Sequence, residues 1–171
     1  MNCCDEIPNI IPNEKYLILY AYSGRITKEE ASWIRQYAKK KGLKVYAIGG
    51  IQSCADKFIS CSPFEVLAYF KHAEEVITDT FHGSIFSIIT QRKFATLIRK
   101  SVGDSYGNEE KLGDLLRRLK LSDRMTFDIS EISKINNTPI VYDKIADILS
   151  NYRDIAKEYL IAVSYTHLTL P

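Results

Sequence analysis

No stretch of the 171 residues is apolar over the roughly 20 positions that a membrane-spanning helix needs. The opening MNCCDE is polar and acidic where a secretory leader would be basic and then apolar. The expectation is a cytoplasmic protein without a transmembrane segment. Charge of one sign is also lacking: 23 Lys and Arg stand against 21 Asp and Glu, a net +2. That balance argues against a nucleic-acid partner or an anionic membrane, so any anion must be held by local placement. The four cysteines, Cys3, Cys4, Cys54 and Cys61, form no Cys-x-x-Cys pair, and no histidine lies at ligand spacing from them. They read as reduced thiols, with no metal centre expected.

What is present is an alternation. Residues 16–22 (YLILYAY) are a continuous apolar run of strand length. Thr27 to Glu30 (TKEE) is a capping box, and Trp33, Ile34, Tyr37 and Ala38 follow at helical spacing until Gly42 stops the helix. Lys39, Lys40 and Lys41 read as its solvated end. Residues 43–48 form a second strand, closed by Gly49-Gly50. Ser62-Pro63-Phe64-Glu65 opens a second helix that runs to about His72, whose imidazole suits a helix C-terminus. Residues 76–78 are a third strand. Ile85, Phe86, Ile88 and Ile89 belong to a buried helix, and residues 94–98 to a fourth strand. An amphipathic helix covers 112–121, and a last helix 141–162.

Strands alternating with helices predict an α/β fold: a parallel, Rossmann-like sheet with helices on both faces. Buried parallel strands read as unbroken apolar runs, as these do. One domain is expected over 16–162, after an irregular N-terminal segment at 1–15. The terminal SYTHLTLP fits no element, so 163–171 are read as a non-native tail and His167 is set aside.

In parallel sheets, ligands bind beyond the carboxyl ends of the strands. Ser23-Gly24-Arg25 follows the first strand, Gly49-Gly50 the second, residues 79–84 (DTFHGS) the third, and Arg99-Lys100 the fourth. The third exit is the richest. Gly83 and Ser84 are placed at a helix start, where free N–H groups and the helix dipole favour an anion, with His82 just before them. The bland reading stands beside it: Ser84 as a cap, Gly83 as a tight turn, His82 bonded to a carbonyl. Asp79 either caps the turn or orients His82.

The stretch SPFEVLAYFKHAEEVITDTFHGSIFSIITQRKFATLIR resembles the polysaccharide pyruvyl transferase family, and so does KLGDLLRRLKLSDR downstream. The turn TDTFHG, between a strand and a helix, is the specific part. The likeness covers roughly residues 16–124. Lys111 stands where the family commonly has arginine, and Lys120 where it often has glycine. Family members are usually about twice this length, so the chain reads as the carboxyl-terminal half of a glycosyltransferase-B-like architecture, a fragment lacking its N-terminal half-domain. The resemblance implies phosphoenolpyruvate as donor substrate, with no cofactor, and a sugar or polysaccharide hydroxyl as acceptor. It implies His82 as the acid or base. Thr80, Gly83 and Ser84 would bind the donor, with Arg99 neutralising the leaving phosphate and Arg25 as a further cation. Two rivals remain: a glycosyltransferase domain binding a nucleotide sugar, and a non-catalytic α/β module binding a partner.

Overall fold

The computed structural model describes residues 12–100 and 107–168. Cys3 and Cys4, most of the segment expected to be irregular, and the end of the expected tail lie outside the described residues. In chain order the elements are β1 (Tyr16–Tyr20), α1 (Lys28–Lys41), β2 (Lys44–Ile48), β3 (Lys57–Phe58), α2 (Pro63–His72), β4 (Glu75–Thr78), α3 (Phe81–Ile89), β5 (Phe94–Leu97), α4 (Glu109–Arg118), β6 (Met125–Thr126), α5 (Ile132–Asn137) and α6 (Tyr142–Leu168).

The six strands form one sheet in the order β3-β2-β1-β4-β5-β6, every pair parallel. This is the expected class. Side-chain alternation along β1 divides the core. Tyr16 and Ile18 face Val66 and Phe70 of α2, Ile88 of α3, Leu116 of α4 and Ile145 of α6. Leu17 and Leu19 face Ile34 and Ala38 of α1 and Ile132 and Ile135 of α5. Ile18, Leu19, Ile34 and Phe70 are fully buried, each contributing roughly 1.5–3 kcal/mol of transfer free energy.

Several boundaries differ from the sequence reading. The first strand ends at Tyr20, because Ala21 and Tyr22 leave the sheet and receive hydrogen bonds from the Gln52 amide. The edge strands β3 and β6 have two residues each, and α5 has six. Elements so short show no periodicity. The last helix continues to Leu168, past the expected end at 162. Both predicted capping boxes, Thr27 with Glu30 and Ser62 with Glu65, are present. Lys39 and Lys40 are exposed, but Lys41 is not a free helix end: it pairs with buried Glu75, which Tyr37 and Asn136 also bond. Among the described residues, no helix is long and apolar enough to cross a membrane.

Candidate functional site

Strand order reverses its direction of travel between β1 and β4, so the loops that leave these two neighbours diverge and open a crevice. The exits of β1 (residues 21–25) and β4 (residues 79–82) form its walls.

Threonine hydroxyls build the β4 exit. Thr78 Oγ1 donates to Tyr20 O at 2.8 Å and accepts from Thr80 N at 3.0 Å. Thr80 is the N-cap of α3, its Oγ1 accepting from Gly83 N at 2.9 Å. The helix therefore starts at Phe81, two residues earlier than the sequence suggests, and this corrects the places of Gly83 and Ser84. The Gly83 N–H is taken by the cap. A Cβ on Gly83 would lie 2.2 Å from Thr78 Oγ1, so glycine is required by close approach. Ser84 is fully buried; its hydroxyl bonds Thr80 O at 3.1 Å and meets Thr96 Oγ1 at 3.0 Å, and its N–H bonds Thr80 O. Neither faces the crevice as a free donor. That place falls to the N–H groups of Phe81 and His82, the first two of the helix, which have no intrahelical acceptor.

His82 is exposed. Its ring lies 6.1 Å from the Phe81 ring and 6.2 Å from the Phe86 ring, and among the described residues nothing hydrogen-bonds its imidazole. Asp79 does neither thing the sequence suggested. Thr80 makes the cap, and the Asp79 carboxylate faces Arg99 instead, with Arg99 Nε 3.9 Å from Oδ2. Asp79 is fully buried, and both its oxygens lack a hydrogen-bond partner among the described residues. Burial pushes its carboxyl up to about 6, against the pull of Arg99 and Arg25.

Two hollows meet at His82. One, of about 280 Å³, is lined by Arg25, Thr80, Phe81, His82, Asn108 and Lys111, among others. The Arg25 guanidinium lies over the Tyr22 ring at 4.5 Å, and Lys111 Nζ over the Phe81 ring at 4.5 Å. Two cations and the open end of α3 thus converge on one small space. The second hollow, of about 500 Å³, lies toward β2 and α2 and includes Tyr20, Tyr22, Phe58, Cys61, His82 and Phe86.

The expected residues divide accordingly. Arg25, Thr80 and His82 come together; Thr80 shapes the turn with its hydroxyl already bonded to the cap. Arg99 stands behind the cationic hollow, its guanidinium gripped by both carboxylate oxygens of Glu30, Nη2 to Oε2 at 3.0 Å. Glu30 thereby joins its own capping box to the β5 exit. Ser23 Oγ accepts from Ile51 N, and a Cβ on Gly50 would lie 2.3 Å from Ser23 N, so this serine and glycine are packing residues of two touching loops. Sequence reasoning missed Asn108. Its Nδ2 bonds Asp79 O at 2.7 Å and Leu97 O at 3.2 Å, and its Oδ1 accepts from Arg99 N at 2.7 Å, tying the β4 and β5 exits together. The signal was Asn-Glu-Glu, a helix start three residues before the predicted one. Lys111 was noticed only as a departure from arginine; in the first turn of α4, it reaches the hollow. Among the described residues no cluster of His, Cys, Asp and Glu could hold a metal ion.

Known proteins resemble the chain in fold and in family. In solved structures, the glycotransferase of kitacinnamycin is similar at 11% identity and a TM-score of 0.50, over 81% of this chain and 39% of that one. The UDP-GlcNAc 2-epimerase from Neisseria meningitidis is similar at 10% identity and a TM-score of 0.42, over 82% and 45%. The iron-containing heptosyltransferase TibC gives 16% and 0.41, over 60% and 32%. The first shares the fold, and the present chain spans about two-fifths of its length. None of the curated proteins matches the chain. A model of the polysaccharide pyruvyl transferase family matches residues 5–101, which hold β1 to β5 and the whole β4 exit. The matched stretch is the amino-terminal part of this chain, so the carboxyl-terminal-half reading is narrowed: the match by itself does not make the chain a carboxyl-terminal half. It covers more than half of the 171 residues, and the chain belongs to the polysaccharide pyruvyl transferase family.

Proposed function

We propose that this chain is the donor-binding part of a cytoplasmic transferase that moves the pyruvyl group of phosphoenolpyruvate onto sugar hydroxyls as a ketal. The observation that carries the reading is the cationic hollow: Arg25, Lys111 and the first N–H groups of α3 around one space, with an unbonded imidazole at its edge. A small, multiply charged anion suits such a place, because fixed donors and cations replace its water without reorganising.

Phosphoenolpyruvate and two sugar hydroxyls give a pyruvate ketal and inorganic phosphate. One hydroxyl proton ends on the methylene carbon, making a methyl group, and the other on phosphate. The bond from C2 to the phosphate oxygen breaks as the hydroxyl oxygens bond to C2. His82 is the proton carrier, as acid toward the methylene carbon or as base toward the attacking hydroxyl. Phe81 and His82 N–H, Arg25 and Lys111 hold the donor anion. Arg99 acts from behind through the field it shares with Asp79 and Glu30, rather than by touching phosphate. A complementary half-domain, facing the same strand ends, closes the site and completes the acceptor contacts.

The fold shared with a glycosyltransferase favours one rival, a domain for a nucleotide sugar. An amide NMR titration separates the two. Saturable shifts on residues 80–83, Arg25 and Lys111, stronger with phosphoenolpyruvate than with inorganic phosphate or a nucleotide sugar, are expected. A stronger response to the nucleotide sugar reverses the order. In a full-length family member, replacing the histidine equivalent to His82 with alanine should abolish turnover. Full retained activity there would favour the non-catalytic module.

A further inference from the structure

The second hollow at His82 differs from the first in kind. No Lys, Arg, Asp or Glu is among its lining residues. Its walls are Tyr20, Tyr22, Phe58 and Phe86, with Ser60 and Cys61 at one side. Phe58 and Tyr22 keep 49% and 43% of their surface exposed and lie together on this one hollow, a contiguous aromatic patch rather than scattered side chains. Tyr20 and Phe86 are held in place behind them by an edge-to-face contact at 5.9 Å. Among the described residues, the hydroxyls of Tyr20, Tyr22 and Ser60 make no hydrogen bond. Rigid aromatic faces with unbonded hydroxyls around them suit a ring that is apolar on its faces and polar at its rim.

We propose that this neutral hollow is a subsite for a pyranose ring of the acceptor glycan. The inference rests on the donor reading above and extends it. Tyr22 and His82 form the shared wall, lining both hollows. A doubly charged donor is drawn to the cationic side by Arg25 and Lys111, and nothing of opposite charge holds it on the other. A neutral ring loses little by entering an uncharged space and gains contact with Tyr22 and Phe58. Each reactant thus has its own side, and the imidazole that carries the proton stands between them. The same hollow could in shape receive a nucleobase, and that alternative is an outcome of the test.

The experiment is an amide NMR titration of the chain with methyl hexopyranosides, with a nucleoside monophosphate and with phosphoenolpyruvate, each alone. The expected result is sugar-induced shifts on residues 58–61, separate from phosphoenolpyruvate shifts on residues 80–83. Phe58→Ala should weaken the sugar response about three- to tenfold, the range for one lost aromatic contact. Phe58 lines only the neutral hollow and is half exposed, so its truncation leaves the core intact. An independent readout is alkylation of Cys61, mapped by peptide mass spectrometry, which bound sugar should slow. Sugar shifts absent from residues 58–61, or no protection of Cys61, overturn the subsite. A stronger response there to the nucleoside monophosphate also overturns it, in favour of a base-binding hollow. If sugars respond as expected while phosphoenolpyruvate leaves residues 80–83 unmoved, the subsite stands and the donor reading falls.

Discussion

Asp79 shows how far one residue departs from its local rule. A carboxylate at a helix entry usually caps; here a threonine caps, and the carboxylate is driven inward between arginines. Its folded pKa of about 6 lies above its ordinary 3.8, so the folded protein holds the proton more tightly than the unfolded chain. Stability must then fall as pH rises from about 4 through 6, by up to about 3 kcal/mol for a shift near two units. Asp79→Asn removes that slope. Urea unfolding at pH 4 and pH 7 should show the wild type losing stability relative to the variant at the higher pH. An equal difference at both would mean that Asp79 is not held above its ordinary range. Gly83 makes a second test. Its missing Cβ leaves room for the Thr78 hydroxyl, so Gly83→Ala should destabilise by about 1–3 kcal/mol through overpacking. It should also displace the Phe81 and His82 N–H groups, weakening phosphoenolpyruvate binding in the same titration. At this scale, the chemistry of the sequence pointed to His82 and Arg25 as candidates, and the structure brings both to one hollow. The sequence could not say that the Thr78 and Thr80 hydroxyls are already bonded, because a partner 58 positions away, such as Tyr20 O for Thr78, does not show in spacing.

Among the elements, α4 and α5 explain two residues of the downstream segment. Lys120, where the family often has glycine, follows α4 with φ at 57°. A side chain in that left-handed conformation carries a steric cost, so Lys120→Gly should stabilise the fold by about 0.5–1 kcal/mol in thermal unfolding. Loss of stability would show that the lysine side chain makes up for the strain. Arg124 is fully buried and donates to Ile135 O at 2.9 Å and Thr138 O at 3.0 Å, so it ties down the end of α5. Arg124→Ala would leave both carbonyls and a void, costing about 3 kcal/mol or more. Arg124→Lys should rescue little, because an ammonium lacks the planar fork that reaches two acceptors. Helix α5, which these bonds secure, was invisible beforehand because six residues are less than two turns.

For the whole molecule, α6 separates what holds the fold from what lies outside it. Ile145 is in the core, with Ile148 and Leu149 against it, while residues 151–161 are exposed, including Tyr152, Ile155 and Tyr159. A chain ending after Asn151 should keep its melting free energy within about 1 kcal/mol of the full chain. A larger loss would place essential packing beyond Asn151. The class of the fold was determined by sequence alone, and so was the strand-end edge where the candidate site lies. Unbroken apolar runs, capping boxes and stop glycines are local signals, and local periodicity reports which elements form and in what order. Tertiary structure decided the rest: that β1 and β4 are neighbours, that Glu30 takes Arg99 away from the crevice, and that Lys111 enters it. It also decided that His82 stands between a cationic and a neutral hollow. Those outcomes depend on side chains brought together from as many as 69 positions apart, and the packing that unites them has no periodicity for a sequence to display.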